Sequence, residues 1–334
     1  MTNIAFVTGG TGFVGSHVVE ELLDRGAAEV RCLVRTEPKW LAEVDVTPVP
    51  GDLSDVETLW EALDGVDEVY HVAGRTRAPT EEAFYEANVQ GTLNLLGAVK
   101  HAAPNLRRVL VTSSLAAVGR CEQTVATETA PLRPVSRYGR SKAQMEAALT
   151  ESHQMTESYA EALPLTVVRP PAVYGPRDRD ILDFFQAVQR HVCPVVGGGS
   201  ARSLSLVHAR DLAAGMVDAC RHPDAANETY FLGSERPYAW SDVKQAATAA
   251  LGTWAVSVPV PGPLLGLVGA ASEAWGRLTG THPPLNRDKA REIRHACTAC
   301  SSEKARRDFG YAPSIALDAG VAATVDWYRA EGWL

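Results

Sequence analysis

Through the first half of the chain, short apolar runs alternate with stretches whose apolar positions recur every three to four residues. Ile4–Thr8 reads as a strand. Phe13–Arg25 reads as a helix, with Val14, Val18 and Leu22 at i, i+4, i+8 and Gly26 as its stop. Strands follow at Val30–Val34, Thr47–Val49, Glu68–Val72, Arg108–Thr112 and Leu165–Val168. Between them lie helical stretches at Leu53–Leu63, Glu81–Ala103 (ended by Pro104) and Arg137–His153. This βαβα order predicts an α/β fold with a doubly wound parallel sheet, covered by helices on both faces. After residue 169 proline and glycine become dense, in Arg169-Pro170-Pro171, Gly175-Pro176 and Gly197-Gly198-Gly199. Helices are expected near 180–190, 210–221, 240–251, 263–279, 286–295 and 315–331, separated by short strands. The expected division is a nucleotide-binding domain over 1–170, with 204–234 returning to it. Residues 171–203 and 235–334 would form a smaller C-terminal α/β substrate lobe.

Composition narrows the picture slightly. The 334 residues are 46% hydrophobic and 22% charged, values of an ordinary globular chain. The net charge of −8 argues against nucleic acid as a partner. Six cysteines are too sparse for a disulfide scaffold, and Cys297-Thr298-Ala299-Cys300, in a stretch that reads as a short strand, is expected to pack rather than to react or bind metal. No basic segment followed by an apolar core opens the chain, so a cytoplasmic location is expected. No charged residue falls between Lys244 and Glu273, but Pro259, Pro261 and Pro263 interrupt the stretch. It reads as a strand followed by a partly buried helix, not as an integral membrane segment; contact with a membrane surface stays open.

The chemistry is concentrated in three places. Gly9, Gly12 and Gly15 in Thr8-Gly9-Gly10-Thr11-Gly12-Phe13-Val14-Gly15 stand between the first strand and the first helix. A tight turn, a close backbone approach to pyrophosphate and close helix–strand packing each require a residue without Cβ, and the helix N-terminus offers free N–H groups to phosphate. Arg35 ends the second strand, where an acidic residue would bond the ribose 2′-hydroxyl of NAD. An arginine there favours the 2′-phosphate of NADP, with NAD as the alternative. Asp52, before Leu53, is a candidate for the adenine edge, and equally for a helix cap with Ser54. Second, Tyr138 and Lys142 stand at i, i+4 on a helix, which puts a phenol and an ammonium able to lower its pKa on one face. Third, Ser113 and Ser114 end the fifth strand, where ligands of open α/β sheets bind. Ser114 is the favoured hydroxyl and Ser113 its competitor.

Together with Gly51-Asp52-Leu53, Tyr70–Gly74, Asn88-Val89-Gln90-Gly91-Thr92, Arg169–Pro176 and the late run Ser301–Arg306 with Phe309–Pro313, these motifs resemble, in order, those of the extended short-chain dehydrogenase/reductases, the NAD(P)-dependent epimerase/dehydratase superfamily. The resemblance implies a Rossmann fold and a homodimer formed through helices Glu81–Ala103 and Arg137–His153. It implies Tyr138 as general acid/base, Lys142 as its ribose-binding partner, Ser114 on the substrate carbonyl and Asn88 as a brace. It also places Ala73, Gly74, Pro170 and Val173 beside the nicotinamide. Ser114-Leu115 stands where dehydratase relatives carry Asp-Glu, and Leu204 where sugar epimerases carry an arginine before the cap's histidine, here His208. The chain instead is similar to dihydroflavonol-reductase and 3β-hydroxysteroid-dehydrogenase-like members. The expected activity is reversible hydride transfer between NADP(H) and a carbonyl or alcohol of a small or largely apolar substrate. An NAD-dependent sugar epimerase and a non-catalytic NADP sensor stand as alternatives. No metal is expected.

Overall fold

The computed structural model describes residues 3–151, 157–196, 203–260, 272 and 287–334. Seven parallel strands form its main sheet, in the order β10-β6-β5-β4-β1-β2-β3. These are β1 (Ile4–Thr8), β2 (Glu29–Val34), β3 (Thr47–Pro50), β4 (Glu68–His71), β5 (Arg108–Thr112), β6 (Leu165–Val168) and β10 (Glu228–Tyr230). The central strands are apolar on both faces because helices cover both. On one face α1 (Phe13–Asp24) and α9 (Ala209–Arg221) close a core around Val18, Leu22, Leu212 and Met216. On the other, α2 (Val56–Leu63), α4 (Gly91–Ala102) and α6 (Arg137–Thr150) close a second around Leu59, Leu95, Val99 and Met145. This is the doubly wound α/β architecture that the alternation predicts.

Several elements differ from the sequence reading. The stretch expected as one helix over Glu81–Ala103 is α3 (Glu81–Tyr85), a π-helical turn (Glu86–Gln90) and α4. Short elements without a readable period appear at α5 (Leu115–Val118), α7 (Tyr159–Ala162), β7 (Ala172–Tyr174) and β9 (Leu206–His208). In the second half, α8 (Leu182–Gln189) and α10 (Trp240–Leu251) pack with the helix Leu317–Ala330 around Phe185, Val188, Val325 and Tyr328. β8 (Val192–Val196) pairs there with β11 (Val256–Val260). The helix expected at 263–279 and Arg202 lie outside the described residues.

Cys297 corrects the sequence reading. It is disulfide-bonded to Cys121, and of the pair only Cys300 is a buried free thiol. The segment His295–Ala299 is not a strand: the helix Arg287–His295 runs up to it, and an isolated bridge joins Ala126 to Cys300. Cys297 N donates to the carbonyl of Gly119, which brings the sulfur beside Cys121.

Candidate functional site

The glycine loop shows its purpose in its contacts. Gly9 has φ of 78°, and a Cβ on it would lie 2.6 Å from Ala73 N; a Cβ on Gly15 would lie 2.1 Å from the carbonyl oxygen of Gly9. Both sites admit no side chain, so α1 starts hard against the ends of β1 and β4. Gly12 caps α1 without a side-chain hydrogen bond, leaving the helix N-terminus at Phe13 and Val14 open toward the cavity. These features fit a dinucleotide pyrophosphate. Thr11 lies in the same loop, half-buried.

At the adenosine end, Arg35 is exposed just past β2, and its charge helps hold the carboxyl of Asp52 below the usual range; the main cause of that lowering is the Ser54 hydroxyl bonded to Asp52. Asp52 Oδ1 accepts from Ser54 N at 2.7 Å, but the cap of α2 is Asp55, accepting from Thr58 N at 3.2 Å. The cap role therefore belongs to neither Asp52 nor Ser54. Leu53 packs toward α4: its Cδ1 lies 3.0 Å from where a Gly91 Cβ would be, and its carbonyl accepts from Asn94 at 2.9 Å.

A cavity of about 1420 Å³ opens past the carboxyl ends of the central strands. Gly74, Ser114, Tyr138, Lys142, Pro170 and Val173 all line it. Ser114 caps α5, its Oγ accepting from Ala116 N at 3.1 Å. The Ser114 side chain is the group that lowers the Tyr138 phenol, and both line the cavity. Ser113 is excluded from that role, because its hydroxyl is buried and donates to Glu146. Burial pushes the Tyr138 phenol up to about 12; the Ser114 hydroxyl opposes this, and Glu292 and Asp180 add to it. Lys142 donates from its ammonium to the carbonyl of Thr112 at 2.7 Å, next to Gly74, and burial brings it down to about 8 against the pull of Glu146. It is not among the groups that shift the Tyr138 phenol. The lysine-lowered phenol expected from the spacing is thus not what this geometry holds: the two groups share a helix face, but the ammonium faces the sheet.

Asn88, fully buried in the π turn, accepts from Arg75 N at 2.7 Å and donates to Arg75 O at 3.0 Å and to Ser141 Oγ at 2.9 Å. It ties the loop after β4 to α6 and touches no reacting atom. Ala73 is half-buried, and its N–H donates to Thr8 Oγ1 at 3.3 Å. His71 is structural, its ring between the Thr8 and Thr92 hydroxyls at 2.7 and 2.8 Å and depressed by burial to about 3. His208 caps α9. Of the residues after β7, Arg177 turns away to pair with Glu20 over Trp40, while Asp178 and Asp180 line the cavity.

The sequence reading missed Glu146 and Arg169, a buried pair at 2.5 Å beneath Ser113. The signal available was an acid one turn past Lys142 on a face otherwise apolar. Among the described residues no cluster of His, Cys, Asp and Glu forms a metal site, and no helix is long and apolar enough to cross a membrane.

Comparison with known proteins agrees with this geometry. The model of the NAD dependent epimerase/dehydratase family matches residues 5–233. The chain is similar to a ceramide reductase of Caulobacter vibrioides, 31% identical over 334 residues covering 99% of this chain and 96% of that one. It is 28% identical to a 2-alkyl-3-oxoalkanoate reductase of Stenotrophomonas maltophilia, covering 94% and 96%. A crystal structure of DesIV, a dTDP-glucose 4,6-dehydratase of Streptomyces venezuelae with NAD and TYD bound, superposes with a TM-score of 0.75 at 27% identity over 99% of this chain and 98% of that one.

Proposed function

Since the chain belongs to the NAD dependent epimerase/dehydratase family and is an NAD(P)-dependent oxidoreductase of the extended short-chain dehydrogenase/reductase type, we propose that it is an NADP(H)-dependent reductase of a carbonyl on a largely apolar, long-chain substrate. The observation that carries this reading is the pair of hydroxyls, Ser114 and Tyr138, which share the wall of the cavity past the ends of the central strands. Phe84, Leu115, Ile181, Leu204 and Ile293 give the wall an apolar part, beside charged residues that include Arg137, Asp178, Asp180 and Glu292. The names of the two reductase relatives point to substrates with long hydrocarbon parts.

The nicotinamide, when bound, supplies the hydride. Ser114 and Tyr138 donate hydrogen bonds to the substrate carbonyl oxygen, where negative charge develops. Tyr138 passes its phenolic proton to that oxygen as the carbonyl carbon is reduced, and the phenol is then reprotonated from solvent. Lys142, which lines the cavity next to Gly74, holds the ribose hydroxyls. Leu115, beside Ser114, offers no carboxylate for removing a second proton, so elimination of water has no base there. Arg35 supports the 2′-phosphorylated cofactor, with its exposed guanidinium free to pair bidentately.

The test is a titration with NADPH and NADH, followed by turnover of 3-oxoacyl and sugar substrates. NADPH is expected to bind more tightly. Arg35→Ala is expected to weaken NADPH by roughly 10- to 100-fold, with little effect on NADH. Unchanged NADPH affinity in that variant refutes the 2′-phosphate assignment. Exchange of a sugar stereocentre without net redox refutes the reductase.

A further inference from the structure

The two-stranded ribbon β8/β11 has an unusual outer face. Val256 pairs with Val192, Ser257 with Cys193, Val258 with Pro194 and Pro259 with Val195, and partners in a ladder point to the same side. Cys193 and Val195 are buried against the core that contains Phe185 and Val188. The opposite side presents Val192, Pro194, Val256 and Val258, where a half-buried sheet ordinarily turns polar residues to water. Val192 is 41% exposed, Val256 56%, Val258 40%, and Trp254, leading into β11, 63%. Four of the six exposed large hydrophobic side chains among the described residues are therefore on this one ribbon.

Trp254 is held outward. Its ring stacks on His191 at 4.3 Å, and its carbonyl bonds His191 Nδ1 at 2.9 Å. Along the ribbon the charge is of one sign. Residues 189–196 and 252–260 include Arg190 and no acid, in a chain of net charge −8, and Lys244 reaches Ser257 Oγ at 3.1 Å. An indole at the edge of an aliphatic face with cations beside it matches the boundary of an anionic bilayer, where the ring sits at headgroup depth. Strand addition by a second chain fits less well, since Pro194 and Pro259 each remove a backbone donor from the ribbon.

We propose that the outer face of β8/β11, with Trp254 at its head and Arg190 beside it, docks on an anionic lipid bilayer and brings the enzyme to a substrate dissolved there. The docking stands on the ribbon alone; its purpose rests on the long-chain substrate reading.

The experiment is flotation of the full chain with vesicles of phosphatidylcholine alone or mixed equally with phosphatidylglycerol. The protein is expected to float with the mixed vesicles, less at high salt, and to stay behind with phosphatidylcholine. The triple variant Trp254→Ser, Val256→Ser, Val258→Ser is expected to lose at least roughly tenfold in partitioning, and Arg190→Glu several-fold, both retaining NADPH binding as evidence of folding. Trp254→Ser alone serves if the triple variant does not fold. Failure of the wild type to float with either vesicle overturns the proposal, as does equal flotation of the serine variants. A concentration-dependent dimer by light scattering that the serine variants abolish makes a second copy the occupant and overturns it too. Turnover of a water-soluble short-chain ketone, measured without vesicles, tests the reductase reading separately and is expected to be unchanged in these variants.

Discussion

In the proposed reduction, the protonation state of Tyr138 decides which direction of the reaction carries the pH dependence. Reduction of a carbonyl consumes one proton overall, so the equilibrium shifts tenfold per pH unit and one of the two directions must supply that slope. Burial holds the phenol near 12 despite the opposing Ser114 hydroxyl. At pH 7 this is about five units above ambient, so removing the proton costs about 7 kcal/mol and roughly one molecule in 10⁵ carries phenolate. The resting enzyme is thus charged with the proton that reduction uses, and reduction should be level with pH. Alcohol oxidation needs the rare phenolate and should rise about tenfold per pH unit. The assay is kcat in both directions across pH 6–10 with one ketone/alcohol pair, beside Tyr138→Phe, which should lose roughly 10²- to 10⁴-fold both ways while binding nucleotide normally. A reduction rate that falls tenfold per unit from pH 6 while oxidation stays level would place the phenol below 6 and refute the reasoning. So would a phenylalanine variant with near-normal turnover.

Glu146→Gln leaves the Arg169 guanidinium buried without its counter-charge and is expected to destabilise the fold by roughly 3–5 kcal/mol in urea melts. Replacing both partners, as Glu146→Leu with Arg169→Met, should recover most of that; an unchanged single-variant midpoint contradicts the pairing. Two buried groups oppose one another in acid. His71 titrates near 3 in the fold against 6.5 unfolded, so the native state binds fewer protons and stability falls as pH drops through that window. Asp178 titrates near 7 against 3.8, so it binds more and stability falls as pH rises. Asp178→Asn should therefore expose the His71 slope, a loss of about 2 kcal/mol from pH 6.5 to 5 relative to wild type. Parallel pH–stability curves for the two proteins would refute this.

The parts of the fold legible in the sequence are those with a strong period. β1, the glycine loop and α1 switch from an unbroken apolar run to helical spacing on the two sides of the glycine loop. The π turn at Glu86–Gln90 is invisible because apolar spacing continues across it, yet its extra residue swings Asn88 onto Arg75 and Ser141. Ser113 and Ser114 are equivalent as text; only the position of Glu146 on α6 separates them. Cys121 and Cys297, 176 residues apart, meet through a backbone bond to Gly119 that no local pattern announces. Lys142 shows the limit of spacing arguments: i, i+4 fixes the face of a helix, but not whether a four-carbon stem turns toward the phenol or the sheet.

The proposed pair of Ser114 and Tyr138 depends on helix–helix contact more than on either side chain. A Cβ on Gly139 would lie 2.3 Å from the carbonyl of Ala116, so the glycine that follows Tyr138 is what allows the start of α6 to lie against α5. α5 begins at Ser114, and α6 is capped by Ser136, whose Oγ accepts from Gly139 N at 3.0 Å. The two hydroxyls are therefore fixed at the ends of two short rigid segments in backbone contact, with Asn88 bracing α6 through Ser141 and Glu146 anchoring it to Arg169 two turns on. Each anchor lies on α6 away from the phenol of Tyr138, which leaves that hydroxyl free to meet a substrate oxygen without moving the helix that carries it. Preorganisation here is a property of the backbone packing, and it holds the donors in place before any substrate arrives.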